Sequence, residues 1–334
     1  MPDPVIAAQA LGFPWACMDP FLFCAWHNDR FPAGNGELGP DASLKGRNLG
    51  HDFDFRDGWN MYHGRTVPGF PQHPHRGFET VTVVREGLVD HSDSLGAAAR
   101  YGEGDAQWLT TGAGIVHSEM FPLIHRDRPN PATLFQIWLN LPADRKMAKP
   151  AFKIFWADQQ PHIQGERSEL TLIAGGVRGQ KAPAPPPDSW AAQKGSDVLI
   201  GVLEAQAGGS FSLPAAPAGV NRCLYLYQGT WRLNGKDQAP GQVLQVRPEL
   251  ELTLEAPDGA ALLILQGRPL DEPVVSYGPF VLNDRAQLQQ AFEDYHRTQF
   301  GGWPWDRDDP VHEARSGRFA RHPDGREERP KAGR

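Results

Sequence analysis

The sequence predicts an all-β protein built as two successive sandwiches or barrels, and three observations carry that prediction. Glycine (36) and proline (31) are both abundant among the 334 residues, which favours many turns and short strands over long helices. Short β-branched or apolar runs recur at regular spacing with turn residues between them, on both sides of a proline-rich segment. Only near the C-terminal end do apolar residues recur at helical spacing. A chain of this length can bury two separate cores.

Residues 1–72 are rich in glycine, proline and aromatics, with apolar stretches such as Pro20-Phe21-Leu22-Phe23, and read as loops and brief strands. The run FETVTVV at 78–84 is β-branched and meets a turn at Glu86-Gly87. Further strands are predicted at 88–92, 106–109, 114–120 and 134–139. The segment 179–196, with Ala182-Pro183-Ala184-Pro185-Pro186-Pro187, has linker composition and divides a first domain, 1–178, from a second, 197–302. The second domain has strand candidates at 197–204, 222–228, 230–233, 243–246, 251–255 and 260–266. Asn283-Asp284 can cap a helix over about 284–298 that carries Leu288, Ala291, Phe292 and Tyr295, with Gly301 and Gly302 to stop it. The tail 303–334 is locally basic but contains Asp324, Glu327 and Glu328, and is expected to be solvated and partly disordered.

Composition narrows the function classes. A formal net charge of −7 gives no electrostatic reason to bind nucleic acid, and no apolar run approaches a membrane-spanning length. Cys17, Cys24 and Cys223 are too few and too scattered for a disulfide framework, so reduced thiols are expected. The start MPDPVIAAQALGF lacks the pattern of a secretory signal, and a cytoplasmic location is expected.

The chemistry sits in QHPHRGFET (72–80) and GIVHSEM (114–120), each with two donors at i and i+2: His73 with His75, and His117 with Glu119. On a strand such residues share a face, whereas on a helix they diverge by about 200°. Strand parity would put Gly77, Glu79, Val81 and Val83 inward with the histidines, and Arg76, Thr80 and Thr82 outward. Three imidazoles and one carboxylate around a point suit iron, manganese, nickel, copper or zinc, and leave positions open on an octahedral ion.

The stretch FPQHPHRGFETVTVV, then DSLG, then GDAQWLTTGAGIVHSEM, resembles the signature of the pirin family within the cupin superfamily. MDPFLF and PVVSYGPFVLNDRAQLQQAFEDYHRTQFG resemble pirin segments too, so the similarity spans roughly 18–302. The resemblance implies two cupin-type β-barrels (double-stranded β-helix, or jelly roll) face to face, with a C-terminal helix. It also implies His73, His75, His117 and Glu119 as ligands of iron(II), with manganese, nickel, cobalt, copper or zinc as alternatives. General cupins use a glutamate at the Glu79 position; here Glu79 becomes a candidate to orient a histidine or pair with Arg76. The stretch 23–62 looks longer than in compact pirins.

No histidine occurs between Asp197 and Gly267, so the second barrel cannot build a matching site. His63, His91 and His125 read as exposed or hydrogen-bonded side chains, and Gly102-Glu103-Gly104-Asp105 as a turn. Trp108, Trp138, Phe135 and Phe78 could line a pocket for a flat aromatic. By resemblance the function is a quercetin 2,3-dioxygenase type of oxidation of a flavonol-like aromatic, with Glu119 as catalytic base. The alternatives are an iron-responsive regulatory protein with a protein partner, and a metal isomerase or hydrolase.

Overall fold

The structure, a computed structural model, describes residues 3–331. It is mostly β, with one α-helix, Arg285–Thr298, among the described residues. Contacts divide it into two compact units. Among the described residues, one comprises 3–25, 137–142 and 158–271; the other comprises 26–136, 143–157 and 272–331.

In the first of these units ten strands form one curled sheet. Its main path runs Val5–Ala10, Gln242–Val246, Asn221–Gly229, Ala260–Gly267, Leu199–Leu213, Leu252–Ala256, Trp231–Leu233 and Lys236–Gln238. Alternate residues such as Leu224, Leu262 and Ile264 turn inward with Phe211 and Trp231 into one apolar core. Each such buried side chain contributes about 1.5–3 kcal/mol. Residues 158–178 were expected with the first domain, yet Glu166–Ala174 pairs antiparallel with Leu199–Leu213. The reason is packing: Leu170 and Leu172 complete the same core as Leu203. The proline-rich stretch 179–196 is thus a loop inside this unit rather than its edge.

The other unit holds both donor-bearing motifs. A six-stranded sheet runs Glu327–Glu328, Phe319–Arg321, Ala98–Gly102, Leu88–Asp93, Ile115–Met120 and Gly69–His75. A five-stranded sheet runs Ala151–Phe155, Ala106–Thr110, Phe78–Glu86, Asn130–Asn140 and Phe21–Phe31. Val84, Val89, Tyr101, Leu109, Ile115 and Leu134 are among the buried residues of its core.

Two expectations change here. The helix, expected with the second barrel, belongs to this unit: Ala291, Leu288 and Tyr295 pack with Phe280, Phe300 and Val116, while Phe292 stays 37% exposed. Asp284 caps it by accepting from Gln287 N at 2.8 Å, and it ends at Thr298, with Gln299 in the left-handed region before the glycines are reached. The tail is also ordered over its described part, with 332–334 outside the described residues. Phe319–Arg321 adds a strand to Ala98–Gly102. Buried Arg100 donates two hydrogen bonds of 2.7 Å to the Asp90 carboxylate and others to the carbonyls of His312, Glu313 and Ala314, which holds the tail on the sheet. The basic composition of the tail hid this, because the partner charge lies more than two hundred residues earlier.

Candidate metal centre

His73 and His75 lie on Gly69–His75, His117 and Glu119 on its antiparallel neighbour Ile115–Met120, with His73 directly opposite His117. Both pairs share a face because successive strand residues alternate. The ring centroids of His73 and His117 are 4.4 Å apart, those of His73 and His75 4.8 Å, and those of His75 and His117 5.0 Å. One nitrogen from each ring lies within 4.8 Å of the others. Glu119 Oε2 is 3.9 Å from His117 Nε2.

The tautomers are set by carbonyls. His73 Nδ1 donates to Pro71 O at 2.8 Å and His75 Nδ1 to Pro279 O at 3.3 Å, which turns each Nε2 lone pair to the cluster. His117 is fully buried, and neither ring nitrogen has a hydrogen-bond partner among the described residues. Such an orphan is costly unless something else takes the lone pair. Burial holds all three imidazoles below the ordinary histidine range, His73 down to about 4, so they stay neutral donors at neutral pH.

Glu119 is fixed from two sides. Gln136 Nε2 donates to Oε2 at 2.9 Å, and the Thr82 hydroxyl lies 3.1 Å from Oε1 while also touching Gln136 Oε1. Burial raises the Glu119 carboxyl above its usual range. Neither Gln136 nor Thr82 was singled out from sequence; the available signal was a lone amide in the apolar strand LFQIWL.

Thr82 therefore faces the cluster, against the parity expected from the sequence. Gly69–His75 and Phe78–Glu86 are two strands in different sheets, and the corner at Arg76-Gly77 changes which face points inward. Glu79 lies on the other face, buried, accepting from Trp108 Nε1 at 2.9 Å and Thr110 Oγ1 at 2.7 Å. Arg76, expected as a possible partner of Glu79, meets Asp294 at 2.9 Å. Of the four aromatics considered for a pocket, Phe78 lies beside His75 at 5.1 Å, whereas Trp108 turns away with Glu79 and Trp138 packs on Phe23. Phe135, next to Gln136 on its strand, has the opposite parity to it.

His63 is exposed, whereas His125, expected to be solvated, is half-buried and lies 3.0 Å from Arg128 Nη2. His91 is hydrogen-bonded but fully buried: it stacks on Phe152, bonds Asp93 Oδ2 at 3.2 Å and sits opposite Glu119 on the next strand, with its ring 5.6 Å from His117. A third i, i+2 pair, His91 with Asp93, thus lies beside the first two. Nearby, Tyr62 stacks on Phe70, and its hydroxyl donates to Asp29 at 2.6 Å while meeting His27 Nδ1 at 2.8 Å. Burial raises Asp29 to about 7.

Curled all-β domains in tandem, one with three imidazoles converging from adjacent strands, define a two-domain cupin. The chain belongs to the pirin family: the pirin profile matches residues 40–139, and the profile of the pirin C-terminal cupin domain matches 201–301. A Pseudomonas aeruginosa protein named "putative quercetin 2,3-dioxygenase" is 36% identical over 70% of this chain and 79% of its own length. A pirin-like protein of Caulobacter vibrioides is 36% identical over 70% of this chain and 80% of its own. The crystal structure of quercetin 2,3-dioxygenase from Acinetobacter baumannii superposes with a TM-score of 0.71 at 25% identity, covering 90% of this chain and 98% of that one.

Proposed function

We propose that the chain is an iron(II)-dependent dioxygenase acting on a flavonol-like aromatic, with the ion held by His73, His75, His117 and Glu119. The observation that carries the reading is His117: a fully buried imidazole with both nitrogens unpartnered among the described residues, one of which joins a cluster of three donors within 4.8 Å. Likeness to the Acinetobacter baumannii enzyme supports the reaction class.

Bound iron(II) supplies the redox partner for dioxygen and a Lewis acid for the substrate oxygens. The protein's own contribution is orientation and proton handling. The bonds to Pro71 and Pro279 keep two imidazoles in one tautomer. Glu119, on leaving the ion, would take the proton of the substrate hydroxyl, with Gln136 Nε2 donating to its Oε2. Phe70, half-buried beside His73, offers an apolar edge to a flat ring. Protein loaded with iron(II) anaerobically and then given quercetin and oxygen should consume the oxygen, and Glu119→Gln should lower kcat about 10²–10⁴-fold. Absence of metal-dependent oxygen uptake by the loaded wild type would remove this reading.

A further inference from the structure

The ten-stranded sheet has an apolar interior that ends in a charge. Arg222 and Leu224 are two apart on Asn221–Gly229, so the arginine points to the interior that Leu224 fills. It faces Gln266 across the sheet, and Gln266 in turn faces Leu199. Arg222 is only 3% exposed. Its Nε donates to Gln266 Oε1 at 2.7 Å and its Nη1 to Pro214 O at 2.9 Å. A guanidinium carries about five N–H donors, so most of its donors, both on Nη2 included, have no protein acceptor among the described residues.

No carboxylate pairs with it among the described residues. Asp197, on the same wall, is bound to Arg268 at 3.0 Å. A buried cation without a counter-charge is costly, and an anion bound against it would offset that cost. Burial alone lowers Arg222 to about 10, with no acid acting in the other direction. The guanidinium borders a cavity of about 430 Å³ whose wall includes Val177, Leu199, Leu213 and a second arginine, Arg178. Arg178 donates to the carbonyls of Gln164 and Ser212 and lies over Phe211 at 4.5 Å, adding positive potential without neutralising Arg222.

We propose that this end of the second barrel binds a small organic monocarboxylate with a compact apolar body. The fork of N–H groups suits a planar carboxylate, and Val177, Leu199 and Leu213 suit the apolar remainder. The volume falls within the range of about 300–1,000 Å³ typical of small-molecule sites. A phosphate, with more acceptors to satisfy, would meet carbon on the leucine side. The site shares no residue with the imidazole cluster and stands apart from the proposed dioxygenase.

The test is ¹⁹F NMR of the full-length chain titrated with 4-fluorobenzoate, with 4-fluorobenzamide as the neutral isostere and inorganic phosphate as competitor. The wild type should bind the benzoate saturably and the amide at least tenfold more weakly. Arg222→Met should weaken the benzoate at least tenfold, and His117→Ala should leave its binding unchanged. Should Arg222→Met fail to fold, Ala215→Trp, at an exposed position of the cavity wall, serves in its place with the same expected loss. The proposal is overturned by no saturable binding to the wild type, by equal affinity for the amide, by phosphate displacing the benzoate at lower concentration, or by binding lost in His117→Ala but kept in Arg222→Met.

Discussion

Asp29 shows how burial sets chemistry at the level of one residue. Its carboxylate receives Tyr62 Oη and Asn60 N, but these bonds only partly counter the burial that raises it to about 7. In the unfolded chain the group should titrate near its ordinary value of 3.8. Between these values the native state binds the proton and the unfolded state does not. This term therefore stabilises the fold at low pH and is lost as pH rises through 7. Asp29→Asn cannot titrate, so its stability relative to the wild type should climb from pH 4 to pH 8 in urea denaturation. A constant difference would contradict the protonation argument. His117 is the complementary case, where burial suppresses a positive charge and leaves a lone pair in want of a partner.

Among the elements, the corner at Arg76-Gly77 decides the faces of two strands. Gly77 has φ of 88°, and a Cβ there would lie 2.0 Å from Val281 O. Lys146 Nζ ties the same corner together by donating to Gly77 O at 2.8 Å and Val281 O at 3.2 Å. Gly77→Ala should cost at least about 2 kcal/mol from the left-handed backbone and the displaced carbonyl. Equilibrium unfolding measures it, and a loss below 0.5 kcal/mol, roughly the limit for surface changes, would show that the corner yields. This corner also explains what could be read from the sequence. The i, i+2 spacing of His73 with His75 and of His117 with Glu119 identifies strand faces, and Asp284 announces the helix, because both are local patterns. The turn from Gly69–His75 into Phe78–Glu86 is tertiary, so the inward side of Glu79 and Thr82 was read in reverse. His91 and Asp93 share the donor spacing, but only pairing with Ile115–Met120 places them beside it. The tail's order likewise depends on the distant Arg100–Asp90 pair.

Across the whole molecule, the titratable chemistry is divided by unit. One gathers neutral imidazoles and a carboxylate of raised proton affinity, while the other is packed with leucine, has no histidine between Asp197 and Gly267, and keeps one arginine without a counter-charge at the end of its core. Fold and family are compatible with either Glu79 or Glu119 serving beside the histidines; the bonds Glu79 makes to Trp108 and Thr110 favour Glu119. Elemental analysis of protein purified without added metal, comparing the wild type with His117→Ala, Glu119→Ala and Glu79→Ala, tests this most directly. One ion per chain should persist in the wild type and in Glu79→Ala, and should fall at least tenfold in occupancy in the other two. Loss of the ion from Glu79→Ala with retention in Glu119→Ala would contradict the account.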